Sequence, residues 1–182
     1  MTLVVHINGW PGSGKLTIGR LLAKRLNGRL LDNHTLINPA ECLFARDDLH
    51  NWPLRKALRS LVFDYAAQIA VAIPLVLTDA LADNPADRAG FDACLELANK
   101  RKAKLIAVVL DCEEEENLRR LTAPGRAELL KLTSAEFLGK LRARYRLLRP
   151  TAVTCIDMDV SKLPAAQAAD ALYQHCRQES SA

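Results

Sequence analysis

The chain has 182 residues, 49% of them hydrophobic and 25% charged, which is enough for one compact domain over residues 1–182 and too ordinary a mixture for a disordered or fibrous protein. The formal charge of +4 is mild and the basic residues are spread along most of the chain, so no nucleic-acid partner is expected; a phosphate-rich small ligand needs only a few placed arginines. Five cysteines without CxxC or metal-ligand spacing point to reduced thiols and a cytoplasmic setting, the first residues show no signal-peptide pattern, and no apolar stretch reaches the roughly 18 residues of a membrane span.

In chain order, residues 3–8 are apolar enough for a buried strand, and 17–26 follow with Ile18, Leu21, Leu22 and Leu26 on one side of a helix that Asn27-Gly28 stops in a left-handed turn. Residues 29–32 form a short, weakly signalled second strand. The spacing of Leu54, Leu58, Leu61, Tyr65 and Ile69 predicts a helix over 54–73 that buries that stripe. A third strand covers 75–78, a helix lies near 87–100, and 105–110 is apolar throughout, as a strand covered on both faces should be. The helix at 113–121 opens on four glutamates, which a helix N-terminus favours, so they read as a solvated start and not a metal site. Leu138, Leu141, Tyr145 and Leu148 mark another helix, 153–156 a fifth strand, and 164–176 a final helix. Such alternation predicts an α/β three-layer sandwich around a five-stranded, mainly parallel sheet. Residues 122–133, with a Pro124-Gly125 turn and mixed charges, read as a lid.

The informative segment is Gly9-Trp10-Pro11-Gly12-Ser13-Gly14-Lys15-Leu16-Thr17, directly after a strand and before a helix. Glycines let the backbone curl so that several N–H groups converge on phosphate oxygens, the helix N-terminus adds donors, and Lys15 adds a charge that reaches β- and γ-phosphates. One position departs from the pattern. Leu16 stands where a Ser or Thr hydroxyl usually binds Mg²⁺, and Thr17 is turned about 100° away along the helix. Thr17 is left with a bond to the α-phosphate, and magnesium is expected to be held by phosphate oxygens and by waters that strand-end carboxylates orient; the alternative for Leu16 is packing beneath the loop.

On these residues the chain resembles small P-loop kinases of the shikimate kinase, gluconate kinase and adenylate kinase type, including related antibiotic phosphotransferases. The likeness is strong over residues 9–17 and looser elsewhere. Leu31-Asp32-Asn33-His34 resembles the strand-end Asp-x-Asp of shikimate kinases, with His34 in place of the second aspartate; 117–126 resembles the helix-to-lid arginine segment; and Cys155-Ile156-Asp157, then Leu163-Pro164, resembles the closing strand and adenine-side loop. The resemblance implies a nucleoside-kinase-like P-loop fold, ATP and Mg²⁺ as cofactors, and a small soluble acceptor. It implies that Asp32 holds magnesium through water, Arg120 stacks on adenine, and Arg126 closes over the phosphates. Gly9, Pro11, Gly12, Ser13, Gly14, Lys15, Leu16, Thr17 and Arg120 form the expected nucleotide site.

Asp32 and Asp79 end strands at the rim where parallel sheets bind ligands, so both are candidate metal residues; the alternative for each is a loop or helix cap. His34 is placed to take a substrate proton, to bind substrate, or to be plain polar surface. Because phosphoryl transfer is mostly positioning and charge neutralisation, arginines matter as much as a base. Arg142, Arg146 and Arg149 share one helix flank, and Arg142 is the expected catalytic member, a solvated basic face being the alternative. Arg46, Arg55 and Arg59 sit where the resembling family builds its acceptor site, which an anionic acceptor would explain. The expected function is transfer of the ATP γ-phosphate to a metabolite, nucleoside, nucleotide or antibiotic by a monomer or homodimer without a membrane. The competing readings are a regulatory P-loop ATPase and an ATP-binding module without chemistry. A GTPase lacks its Asn-Lys-x-Asp motif here, and Ala80 stands where a motor ATPase usually has glutamate.

Overall fold

A computed structural model, which describes residues 2–123 and 134–181, runs β1 (Leu3–Gly9), α1 (Lys15–Arg25), β2 (Arg29–Asp32), α2 (Asn33–Glu41), α3 (Asn51–Ala67), β3 (Leu75–Asp79), α4 (Pro85–Lys100), β4 (Lys104–Asp111), α5 (Glu114–Leu121), α6 (Ala135–Arg144), β5 (Thr154–Asp159) and α7 (Ala165–Ser181). The strands form one sheet in the order β2-β3-β1-β4-β5, and each of the four strand pairs is parallel. This is the expected α/β three-layer sandwich.

All seven residues of β1 are buried, because the central strand is covered on both faces. Leu3, Val5 and Ile7 pack with Ile18 and Leu22 of α1 and Ala168, Leu172 and Cys176 of α7. Val4 points the other way, into a cluster with Phe63 of α3 and Phe91, Cys94 and Leu97 of α4. The next residues on that second face are polar and buried, His6 at 1% and Asn8 at 2% exposure. Buried polar groups persist only where they are hydrogen-bonded, so both mark places where the fold does something other than fill space.

Three local expectations are corrected. A helix, α2, follows β2 directly; its Asn33-His34-Thr35 opening and internal Pro39 have poor helical propensity, and the burial of Leu36 and Ala40 one turn apart supports it instead. The middle of the apolar stripe of α3 faces outward. Leu61 is 56% and Tyr65 66% exposed, Leu54 and Leu58 are half-buried, and Ile69, packed against the core, lies beyond the helix, while Phe63 and Ala66 are buried. The inward face carries Arg55 and Arg59 beside Phe63 and Ala66, so the hydrophobic period did not mark it. Finally, α6 ends at Arg144, with Tyr145 extended at φ −128°, so Arg146 and Arg149 do not share a helix flank with Arg142. The segment beyond makes an antiparallel bridge from Leu147 to Ala82.

Two buried contacts fix the ends of helices near the site. Asn27 takes the left-handed conformation (φ 50°) after α1, and Gly28 beside it is required because a Cβ there would lie 2.6 Å from the Pro74 carbonyl oxygen. Arg101, 1% exposed, donates to the carbonyls of Ala66 in the last turn of α3 and of Ile69, Ala70 and Ile73 just past its end. A cation at that end also meets the negative pole of the helix dipole. The basic run at 100–104 thus contains a structural arginine that holds the C-terminal end of α3.

Candidate active site

The turn between β1 and α1 has the geometry its sequence predicts. Gly12 (φ 93°) and Gly14 (φ 89°) occupy the left-handed region that favours glycine. Space requires two of the glycines as well. A Cβ on Gly9 would lie 2.5 Å from Ser13 Oγ and 2.7 Å from the Leu110 carbonyl, and one on Gly12 would lie 2.7 Å from Asn117 Nδ2. The loop closes through Ser13 N donating to Trp10 O at 3.1 Å. Lys15 Nζ donates to Gly9 O (3.0 Å) and Trp10 O (3.1 Å), which curls the side chain over the loop. Ser13 Oγ is buried without a protein partner. Pro11 is half-buried at the crest, Leu16 is half-buried and Thr17 exposed in the first turn of α1; Leu16 belongs to none of the core clusters.

Asn8, one residue ahead of the loop, anchors it. Its Oδ1 accepts from Gly9 N and Leu81 N, and its Nδ2 donates to Leu81 O and Leu148 O. One buried amide therefore ties the β1 end to the β3–α4 loop and to the chain after α6. Nothing in the sequence distinguished it from an ordinary strand-end asparagine.

On the far side, Asn117 Nδ2 donates to Pro11 O at 2.8 Å. Arg120 stands beside the loop, its NH1 4.0 Å from where a Gly14 Cβ would be, and it donates to Glu116 Oε1, Val160 O and Ser161 O. It therefore sits between the loop and the β5–α7 connection. Arg142, expected to face a transferred phosphate, is engaged by protein acceptors. It donates to Asp111 Oδ1, Asn117 Oδ1 and Cys112 O and lies over the Trp10 ring at 6.0 Å, so it braces the underside of the loop. Its position on α6 was readable; the carbonyls and carboxylate at the end of β4 that capture it were not. Arg126 and the lid from residue 124 to 133 lie outside the described residues.

The rim carboxylates separate into two kinds. Asp32 ends β2, half-buried, and one of its oxygens accepts from Thr78 Oγ1 at 2.8 Å, while Asn33 N donates to the same Thr78 hydroxyl. Asp79, 1% exposed, is not presented to a metal. Arg59 grips both its oxygens, at 3.1 and 2.5 Å, and His6 Nε2 lies 3.1 Å from Oδ2. Burial pushes this carboxyl up, but Arg59 and His6 outweigh it and bring it down to about 2. Cys94 lies near the same group and is pushed up to about 12, chiefly by burial, so it is a protonated, inert thiol. His6, Asp79 and Cys94 have the spacing of a metal site, yet the Arg59 guanidinium already supplies the cation there. His34 lies in the first turn of α2 with Nδ1 3.4 Å from Asn38 Oδ1.

Beside this ion pair opens a cavity of about 670 Å³ between α2, α3 and α4. Asn33, Arg55, Arg59, Phe63, Asp79 and Leu81 are among its lining residues, and Asn33 lines it while His34 does not. Arg59 also lies over the Phe63 ring at 5.0 Å.

The loop fits a nucleotide triphosphate: glycines that a Cβ would displace, a buried hydroxyl without a partner and a helix N-terminus converge at one point. The donor set for magnesium is thinner. Leu16 offers no oxygen, Asp79 is occupied by Arg59, and of the two expected metal residues Asp32 remains. This suits an ion held mainly by phosphate oxygens and water.

Comparison with known proteins agrees with this geometry. The model of a family described as an AAA domain matches residues 5–136. No curated protein matches. Among solved structures, a candidate kinase from Chloroflexus aurantiacus superposes with a TM-score of 0.72 at 16% identity, covering 97% of both chains. A sugar kinase from Janibacter sp. gives 0.65 at 20% identity, covering 97% of this chain and 95% of that one. The APS kinase of Mycobacterium tuberculosis, solved with AMPPNP and APS, gives 0.62 at 17%, covering 97% and 98%. At these identities the likeness is one of fold. Among the described residues no helix is long and apolar enough to cross a membrane.

Proposed function

This chain belongs to the AAA-domain family, and from that premise we propose that it transfers the γ-phosphate of ATP to a hydroxyl group of a small molecule held in the cavity between α2, α3 and α4. The observation that carries this reading is the sharing of one rim: the glycine loop ends β1 while the cavity opens beside the ends of β2 and β3, where Asn33 and Asp79 line it and Asp32 ends β2. A phosphate on the loop and a hydroxyl at the cavity mouth would then approach each other along the strand ends, where open parallel sheets place ligands.

In this reading the loop amides and Lys15 neutralise the β- and γ-phosphates, and Lys15 exchanges its two carbonyl acceptors for phosphate oxygens. Arg120 closes the base side of the nucleotide. Magnesium, when bound, would offset the charge developing on the phosphates, and Asp32, its carboxylate fixed by Thr78, would hold it through water. As the bond from γ-phosphorus to the β-phosphate oxygen breaks, the acceptor oxygen bonds to that phosphorus. The hydroxyl proton passes to Asp32 or solvent, and ADP leaves. Arg142 is a brace in this scheme, and His34, set apart from the cavity lining, contributes no proton transfer.

The test is acceptor-dependent ADP formation across sugars, sugar acids, nucleosides and aromatic alcohols, with binding of a non-hydrolysable ATP analogue measured alongside. ADP that rises with one acceptor class supports phosphotransfer; equal ADP without acceptor assigns a regulatory ATPase. Leu16 favours one competing reading, in which ATP binds and nothing is transferred. Analogue binding with no ADP under any condition would establish that reading.

A further inference from the structure

The cavity is lined by arginine, which in sequence suggests a receptor for an anion, but its arginines are already matched. Arg59 spends both terminal nitrogens on Asp79. Arg55 donates to Glu41, an ion pair in which the glutamate is 10% exposed, and Arg46 binds the same carboxylate. The Nε atoms of Arg55 and Arg59 are buried and point at no acceptor. Lys100, on the α4 side, stands between Asp64 (3.1 Å) and Glu96 (3.0 Å). Lys56 lies exposed at the rim, and Asp87 within the lining offsets it. The formal charges of the wall cancel.

The rest of the wall is apolar. Leu36, Phe63, Leu81, Ala93 and Leu97 form much of it, and Trp52, 55% exposed, stands at the mouth. Asn33 and Ser60 are its neutral hydrogen-bonding side chains. A carboxylate or phosphate entering here would have to take Arg59 from Asp79 or Arg55 from Glu41, leaving a carboxylate without its partner in a poorly solvated site. It would also approach those carboxylates as a like charge. A hydroxylated molecule with an apolar or aromatic body meets no such opposition: its body covers Phe63, Leu81 and Trp52, and its hydroxyls find Asn33 and Ser60.

Resting on the phosphotransfer reading, we infer that the acceptor is an uncharged alcohol with an apolar body, and that Glu41 sets this preference by neutralising Arg55 at the cavity wall. Asp79 does the same for Arg59 at the floor. Glu41 is thus a positioning residue for specificity, acting through Arg55 without touching the acceptor.

Phenyl β-D-glucoside and phenyl β-D-glucuronide share ring, linkage and size and differ by a neutral hydroxymethyl against a carboxylate, so they isolate charge. Titrated calorimetrically into the full chain at low salt, the glucoside should bind about tenfold tighter or more. In Glu41→Gln, which releases Arg55, the ratio should fall to about threefold or invert while the melting temperature stays near wild type. A glucuronide bound as tightly as the glucoside by wild type, binding of neither, or a folded Glu41→Gln protein with an unchanged ratio overturns the inference. The wild-type pair decides without the variant if Glu41→Gln does not fold. Loss of ATP-analogue binding would instead sink the phosphotransfer reading and leave this ratio standing.

Discussion

The phosphate loop and the cavity beside it occupy one sheet edge but are made of different material. The loop is backbone: glycines in the left-handed region, amide donors and one lysine, held from beneath by Asn8, Asn117 and Arg142. The cavity is side chain: an arginine on a buried aspartate, another on a glutamate, and apolar surface between. In the loop the buried Ser13 hydroxyl has no protein partner and Lys15 rests on two carbonyl oxygens. In the cavity each arginine has been given a carboxylate by the fold itself. Two sites that look equally basic in sequence therefore differ in what they offer, because an anion site needs donors without a built-in acceptor, not merely cations.

That contrast predicts opposite consequences for two substitutions. Lys15→Ala should reduce transfer by two or more orders of magnitude and weaken ATP-analogue binding, with little change in melting temperature, since the side chain is half-buried and belongs to no core cluster. Asp79→Asn should do the reverse first: it leaves Arg59 and His6 without their anion in a site that is 1% exposed, at a cost of about 3–5 kcal/mol by urea unfolding. Equal losses of stability in the two variants would erase the distinction between ligand-facing and fold-facing charge.

Acid sharpens the same point. The Asp79 carboxyl titrates near 2 in the folded chain against an ordinary 3.8, so the folded state favours its charged form. Its contribution is complete above the ordinary value and is lost as pH falls from about 4 through about 2, on the order of 2 kcal/mol in all. The urea midpoint of wild type should fall across that window, and the loss should be smaller in Asp79→Asn. Identical pH profiles would mean the pair is not maintained in solution.

The rim between the sites gives a smaller effect. Asp32→Asn should raise the magnesium concentration for half-maximal activity several-fold, and Leu16→Ser should partly restore it by adding a hydroxyl at the usual ligand position. Because Leu16 lies outside the core clusters, Leu16→Ser should shift the melting temperature little. A large drop would show that its side chain does pack beneath the loop.

The smallest effect belongs to α3. Leu61→Ala should change stability by less than about 0.5 kcal/mol, whereas Phe63→Ala should cost about 3–5 kcal/mol, which urea melts of the two will separate. The sequence pattern argued the reverse, and the reason is physical. Periodicity finds a core face only where that face is apolar; here Arg55 and Arg59 occupy it, compensated by carboxylates that come from Glu41 and from Asp79, residues distant in sequence. Legibility followed the range of the interactions. Strand runs buried on both faces and a glycine loop between strand and helix are local, so the sheet, the loop and Lys15 were readable. Asp32 was readable as a strand end, though not its Thr78 partner. The capture of Arg142 by Asp111 and Asn117, of Asp79 by Arg59 and His6, and of the α3 carbonyls by Arg101 depends on pairings that no local window contains. The α2 helix was missed for the opposite reason: its propensity is poor and its support is tertiary.

The strand order carries a consequence for the birth of the chain. The central strand is the first to be made, and the second to be made has no place beside it, since β3 lies between β1 and β2. A nascent chain therefore emerges from the ribosome with its central, fully buried strand and its glycine turn already complete but without an edge to join, until residues 75–79 arrive to pair with both β1 and β2. Through that interval α1 can cover β1 on the face of Val5 and Ile7, and α2 and α3 supply only Leu36, Phe63 and Ala66 of the cluster on the Val4 face. Until α4 follows, the face with Val4, His6 and Asn8 is incompletely covered, and exposed apolar surface and unpaired strand edges invite association. Two polar residues on that face lower its stickiness while it waits, and the same two later become the anchors of the ion pair and of the loop.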